Sequence, residues 1–315
     1  MFKRTLTSVI PLLGLNLMLA GSASATVDAI FNDFSDTTVL TLNGSAKVVN
    51  TIDGNVLRLT PAQSSQSGSA FSYQTVNASD FSSFFKFRIT NPGGTIFDCN
   101  TQAGADGLVF VIQSVSDSIG GGGQGIGYAG IDNSVGVEFD SWCNASNQDP
   151  SSNHLGIVSG GSVVHATDQS DVISITPDFD DGNIWYAWVD YNGSTLEVRV
   201  NQTGIRPNTP TLSKQIDIPA LLGNVQNAYV GFTSGTGADW GDHDIISWEY
   251  RDQFNPISSV PQNCAATYTS DGKLKIPYVS VPNALGGTSL WEVEMQLLPI
   301  TSNAMDFRLT GATQK

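Results

Sequence analysis

The amino-acid sequence predicts an all-β protein made of two antiparallel sheets packed face to face. Segment after segment is rich in β-branched and aromatic residues, and several alternate apolar with polar. They include "TVLTLNGSAKVV", "NVLRLT", "FKFRIT", "GLVFVIQ", "VGVEFD", "WYAWVDYNGSTLEVRVN" and "NAYVGFTS", each bounded by Gly, Asn, Asp or Pro clusters. Asn192-Gly193 lies between two such runs, a pair that favours a tight hairpin turn. Only a short turn near Ile218 to Leu222 reads as helix. Strands of this kind bury one face of each sheet against the other.

The first 25 residues stand apart from that pattern. Lys3 and Arg4 precede an apolar run from Val9 to Ala20, and Ala23 and Ala25 supply the small-x-small pattern of a signal-peptidase site. The run is too short to span a bilayer, and no cysteine follows it to carry a lipid. Residues 1–25 are therefore expected to be a signal peptide, and the protein to be secreted, periplasmic or at the cell surface. Membrane insertion is not expected. Residues 26–254 form the expected sandwich domain. Beyond the linker-like "NPISSVPQNC" lie "KLKIPYVSV", "SLWEVEMQLL" and "AMDFRLTGAT". Residues 255–315 thus read as a small C-terminal β module of unknown role, or as an extension onto a sandwich edge.

Charge narrows the partners. The chain carries 14 Lys plus Arg against 29 Asp plus Glu, a net charge of −15. Without the signal segment, which holds two of the basic residues, this becomes −17. Such a surface repels nucleic acid and anionic membranes and favours cations.

One stretch concentrates that charge. "VEFDSWCNASNQDPSSNHLGI" brings Glu138, Asp140, Asn144, Asp149 and His154 together, although only 14% of the chain is charged. Glu138 and Asp140 are two apart on a strand and share a face. Sandwich-fold glycosidases use an E-x-D-x-x-E arrangement, but Cys143 stands here where the proton-donating Glu would be needed. No enzyme is expected. A solvated acidic loop explains the clustering poorly. Hard divalent cations want several oxygens, and a histidine among carboxylates suits a transition ion such as Mn²⁺.

These residues, in this order, resemble the metal-binding segment of the legume-type (L-type) lectins, in the form found in bacterial secreted proteins. The resemblance runs over about residues 26 to 252, through "LRLT", "SGSAFSY", "FSSFFKFRI", "GADGLVFVIQ", "WVDYNGSTLEVRV" and "VGFTSGTGADWGDHDIISWEY". It implies a concanavalin-like jelly-roll sandwich. It also implies that Glu138, Asp140, Asp149 and His154 hold a transition ion. Asp140, Asp149, Asn144 and the backbone carbonyl of Trp142 would hold Ca²⁺. Ser141 replaces the family's usual Thr, and Cys143 is not part of the usual pattern.

The resemblance places a sugar site beside the metals. Asp106 in "GADG" matches the acceptor of two sugar hydroxyls, and the Ala–Asp bond before it is expected to be cis. Asn144 would donate its amide to the sugar, and Trp142 offers a ring face. In the glycine-rich "GGGGQGIGY", no G-K-[ST] follows, which removes the phosphate-loop reading. Gly122 or Gly123 would instead bring a backbone N–H to the sugar. Asp239 and Trp240 in "GTGADWGDH" belong to the family's variable specificity loop and are candidate contacts.

Remaining residues read as structural. His243 is expected near a loop base. His165, with no carboxylate cluster beside it in sequence, reads as an ordinary surface or sheet residue. Of Cys99, Cys143 and Cys264, the first two are the expected disulfide, if their loops meet. The combined expectation is a calcium- and manganese-dependent lectin that binds glycans or glycoconjugates. Lectins of this family often gain avidity as homo-oligomers. A metal-stabilised structural or adhesion protein without sugar binding is the alternative, and a sandwich-fold glycosidase a weaker one.

Overall fold

The computed structural model describes residues 28–94, 103–120 and 122–258, with the strand segments 267–268, 273–282, 288–297 and 307–314. The segment read as a signal peptide lies outside the described residues. So do Cys99 and Cys264, and with them the expected Cys99–Cys143 pairing.

In chain order the strands are β1 (Asp28–Phe31), β2 (Leu40–Gly44), β3 (Lys47–Thr51), β4 (Gly54–Thr60), β5 (Ser67–Ser72), β6 (Val76–Asn77), β7 (Phe81–Gly93) and β8 (Gly107–Gln113). They continue with β9 (Ser134–Asp140), β10 (His154–Ser159), β11 (Val172–Ser174), β12 (Trp185–Tyr191), β13 (Thr195–Asn201), β14 (Leu212–Gln215), β15 (Asn227–Gly235) and β16 (Trp240–Arg251). One sheet has the order β14-β13-β12-β7-β16-β4-β3, with β1 also paired to β16. The second has the order β11-β10-β9-β8-β15-β5-β2, with β6 also paired to β15. The all-β expectation is met, as two large antiparallel sheets. The short helix is α1 (Ile218–Leu221), capped by Asp217, whose Oδ1 accepts the Ala220 N–H at 3.1 Å.

Alternation along the strands builds the layer between the sheets. Phe81, Phe85, Phe87 and Ile89 of β7 point inward, against Leu108, Phe110 and Ile112 of β8 and Val135, Val137 and Phe139 of β9. Phe85 is surrounded by rings: Phe232 at 5.0 Å and Phe139 at 5.5 Å edge-on, and Phe110 at 5.8 Å stacked. Such offset and edge contacts add to the burial of large apolar area.

The second sheet is also covered on its outer face. Val109 and Val111 of β8 pack there with Ile126, Tyr128 and Ile131 from the loop between β8 and β9. This is why β8 and β9 are buried at every position. A carboxylate at Glu138 or Asp140, on the outer side of β9, is thus out of water.

The hairpin at Asn192-Gly193 forms as the pair of residues predicts. Asn192 Oδ1 accepts the N–H groups of Ser194 and Thr195, and Gly193 takes φ +90°. At the C-terminal end, β17 (Thr267–Tyr268), β18 (Lys273–Pro282), β19 (Thr288–Leu297) and β20 (Phe307–Gln314) form a four-stranded antiparallel sheet. Among the described residues these strands pair only with one another.

The central aromatic cluster generates a prediction. Phe85→Ala removes a ring packed against both sheets and should cost roughly 3–5 kcal/mol. Urea unfolding should show a lower midpoint with little change in slope.

Candidate functional site

Strand register assembles the site. At one end of the second sheet His154 of β10 faces Asp140 of β9, which faces Gly107 of β8, which faces Gly235 of β15. Two rows further in, on the same face, Gly156 faces Glu138, which faces Val109. Residues of the acidic stretch and of the "GADG" stretch therefore end on neighbouring strands.

The loop from Asp140 to His154 folds over that end. Asp140 Oδ1 accepts the Trp142 N–H at 2.6 Å, and Asp149 Oδ2 accepts the Asn144 N–H at 2.6 Å. A single 3-10 turn, Ala145–Asn147, and a left-handed Gln148 (φ 64°) let the chain double back. Asn153, not singled out in the sequence, anchors the return. Its amide donates to the carbonyls of Ile175 and Pro177, and its Oδ1 accepts the Phe179 N–H.

Four of the expected metal ligands converge. His154 Nε2 lies 3.6 Å from Glu138 Oε1, 3.9 Å from Asp140 Oδ2 and 3.8 Å from Asp149 Oδ1. Its Nδ1 is 2.9 Å from the Ser151 carbonyl, which can only accept, so that nitrogen carries a proton. In the neutral ring, Nε2 is then the lone-pair atom facing the acids.

His165 corrects the sequence reading. It is not an ordinary surface or sheet residue: it is buried, and its Nε2 lies 2.7 Å from Glu138 Oε1 and 3.8 Å from Asp149 Oδ1. Adjacent sequence carried no signal for this. The loop after β10 carries His165 back, and the His165 N–H donates to the Asn147 carbonyl at 2.9 Å.

The electrostatics of this corner are costly without a counter-charge. Burial, then the charges of Glu138 and Asp149, hold the Asp140 carboxyl well above its ordinary range. Burial likewise raises Asp149. For Glu138, burial pushes upward, but the two imidazoles outweigh it and hold the carboxyl low. Burial disfavours the His165 cation, yet Glu138, Asp149 and Asp171 raise its pKa on balance.

The donor set fits divalent cations. Glu138 Oε1, His154 Nε2, His165 Nε2 and Asn144 Oδ1 are buried without a hydrogen-bond partner. Orphaned polar atoms cost stability unless something else satisfies them. Mutually close ligand atoms occur in two overlapping groups, Glu138-His154-His165 and Asp140-Asp149-His154.

The residues expected at the sugar site gather beside this corner. The Ala105–Asp106 peptide is cis. The Asp106 carbonyl accepts the Ser141 N–H at 3.0 Å, joining this loop to the acidic one, and the Asp106 N–H donates to the Gly235 carbonyl at 3.2 Å. Asp106 is buried, and its Oδ2 has no hydrogen-bond partner. Burial, then the charge of Asp239, push its carboxyl up to about 7.

Gly122 and Gly123 pack against Gly235, where an added Cβ would lie 2.8 Å from the Gly123 carbonyl oxygen and 3.0 Å from its nitrogen. Asp239 is only 2% exposed, beside Gly94. Trp240 is half-buried with its indole against Gly93, and Trp142 and Asn144 are half-buried on the acidic loop. His243 is structural, as expected. It is buried, its Nδ1 lies 2.8 Å from Thr60 Oγ1, and burial lowers its pKa to about 4.

Comparison with known proteins agrees with this fold. The family described as the legume lectin beta-barrel domain matches residues 32–247. An L-type lectin-domain containing receptor kinase VIII.1 of Arabidopsis thaliana is 30% identical over 222 residues, 69% of this chain but only 29% of that relative's length. A galactose-binding lectin of Arachis hypogaea is 29% identical over 261 residues, 74% of this chain and 87% of the relative. Among solved structures, basic winged bean lectin with Tn-antigen superimposes with a TM-score of 0.57 at 25% identity, over 72% of this chain and 98% of that one. The chain belongs to the legume-type lectin domain family.

Proposed function

We propose that this protein is an exported carbohydrate-binding lectin whose sugar site depends on Ca²⁺ and a transition ion. The observation that carries the reading is the junction of two features: a buried carboxylate-imidazole cluster with orphaned donor atoms, and a buried Asp106 oxygen without a partner, joined by the Ser141–Asp106 hydrogen bond.

In this reading Glu138, Asp140, Asp149 and His154 hold the transition ion. Asp140, Asp149, Asn144 and the Trp142 carbonyl hold Ca²⁺. When bound, the cations supply the positive charge that three crowded carboxylates lack, and so fix both loops. Asp106 accepts sugar hydroxyls, and the Asn144 amide and the backbone of Gly122 or Gly123 donate to the sugar. Trp142 and, in the variable loop, Asp239 and Trp240 complete the contacts. The partners are glycans or glycoconjugates, with homo-oligomers adding avidity. The protein acts by reversible binding rather than turnover. The same reading includes removal of residues 1–25, a Cys99–Cys143 bridge, and a separate module over 255–315.

Cation dependence is tested by melting curves. Chelator should lower the melting temperature, since a ligand that binds only the native state stabilises it. The pH dependence should reverse sign between the two states. In chelator, Asp106, Asp140 and Asp149 bind protons more tightly folded than unfolded, so the penalty for ionising them is relieved as pH falls from 8 to 6. The chelated protein should melt higher at pH 6 than at pH 8. The loaded protein should do the opposite, as protons compete for the ligands. Identical curves with and without chelator would defeat the cation reading.

Sugar binding is tested on a glycan array in calcium. Asp106→Asn nearly preserves shape but replaces an acceptor oxygen with a donor, costing roughly 1.5–3 kcal/mol per charged hydrogen bond. It should abolish detectable monosaccharide binding while metal content stays unchanged. Asn144→Ala should weaken calcium and glycan together. Wild-type glycan binding retained by Asp106→Asn would show the sugar site to be misplaced. A fully metallated protein that binds no glycan would favour the structural-protein alternative.

A further inference from the structure

We propose that His165 is a second imidazole ligand of the transition-ion site, turning it from a manganese site into one that prefers a nitrogen-seeking ion, zinc foremost. The inference rests on the cation reading above and adds a ligand to it.

The first argument is placement. His165 Nε2 and His154 Nε2 share the same two acidic neighbours. They lie 2.7 and 3.6 Å from Glu138 Oε1, and both are 3.8 Å from Asp149 Oδ1. Ligand atoms about 2.1 Å from one ion are on the order of 3 to 4 Å apart, a spacing three of these four distances meet, the fourth being shorter. The two rings are nearly perpendicular, at 86° with centroids 5.3 Å apart. They therefore do not stack, and both nitrogens reach the same acids.

The second argument is what the close approach is not. At 2.7 Å His165 Nε2 and Glu138 Oε1 are near enough for a strong hydrogen bond, yet neither atom has an aligned partner. Two buried lone-pair atoms this close to each other suit neighbouring ligands of a common ion. The other ring nitrogen lies 3.8 Å from Asp171 Oδ1, so the ring has no competing hydrogen bond to hold it elsewhere.

The third argument is that the local chain is shaped to admit this ring. Gly156 faces Glu138 across β9 and β10, and a Cβ there would lie 2.6 Å from His165 Cε1 and 2.4 Å from Glu138 Oε1. Any other residue would occupy the space both side chains use. The segment carrying His165 is tied on two sides. Its N–H donates to Asn147 of the acidic loop, and the Gln169 amide donates to the Gln148 carbonyl. Asp171 accepts the Ala166 N–H on its carboxylate, and its carbonyl accepts the Ile157 N–H of β10. A loop pinned this way holds a ligand at little cost in conformational entropy.

Ligand chemistry then sets the preference. Oxygen donors and water suit Mn²⁺, whereas imidazole suits zinc, copper and nickel, whose affinities for such sites exceed that of manganese. Replacing a water by a second imidazole moves the site in that direction.

The test uses the full chain with calcium kept saturating. Copper(II) is the spectroscopic probe, because electron paramagnetic resonance counts coupled nitrogens directly. Two nitrogens are expected in the wild type and one in His165→Gln. In parallel, zinc and manganese affinities are measured by calorimetry. His165→Gln should weaken zinc by at least about tenfold, as outer-shell losses alone do that, while manganese changes less than threefold. Gly156→Ala, which crowds the ring, should reproduce the nitrogen loss. A single coupled nitrogen in the wild type, or equal zinc and manganese losses in His165→Gln, would overturn the inference and leave the cation cage standing. A wild type that takes up no transition ion would instead remove the cage itself, and this inference with it.

Discussion

The repulsion among Glu138, Asp140 and Asp149 is the constraint around which this end of the molecule is organised. Three carboxylates are held within one corner, two of them on a strand covered on both faces. In water such charges are screened at little cost, but in a buried corner each raises the cost of ionising the next. Asp140 records that directly through its elevated pKa. Two imidazoles soften the conflict at Glu138 without removing it. The corner is therefore a place where added positive charge would relieve the repulsion.

What makes the corner possible is the sheet behind it. Inward residues of β8 and β9 interlock with those of β7 between the sheets, so register can slip only by turning Val137 and Phe139 outward. With register held, His154, Asp140, Gly107 and Gly235 fall in one row without further design. A polar relay adds a second tie. Ser234 Oγ donates to the Gly107 carbonyl, Thr60 meets both Ser234 and His243, and Arg58 bridges Asp242 and Asp244. The strand that follows Asp106 is thus tied across the sandwich as well as along its own sheet.

The same geometry joins the loop before β8 to the acidic loop after β9. Asp106 sits immediately before β8, and its carbonyl holds the N–H of Ser141, the residue directly after β9. That bond and the β8–β9 pairing hold the two loops side by side. The family relationship covers this arrangement, and one similar protein is a galactose-binding lectin of Arachis hypogaea. The share of this chain that matches, residues 32–247, is the part that contains the whole corner.

Much of this was legible in the sequence. Alternating apolar strands, the Asn192-Gly193 turn and the short capped helix follow from local periodicity and turn chemistry, which tertiary contacts do not override here. Glu138 and Asp140 share a face because strand geometry has a period of two. The clustering of acids before His154 was visible because the rest of the chain is poor in charge. His165 was not legible. Its role depends on a loop returning over β10 and on the absence of a side chain at Gly156, and neither leaves a mark in the residues beside it. The burial of Asp239, the packing of Trp240 on Gly93 and the anchoring work of Asn153 are likewise consequences of which loops meet. Local sequence sets the direction in which a side chain leaves its strand; which other side chains it meets depends on contacts between residues distant in sequence, and those the folded structure alone decides.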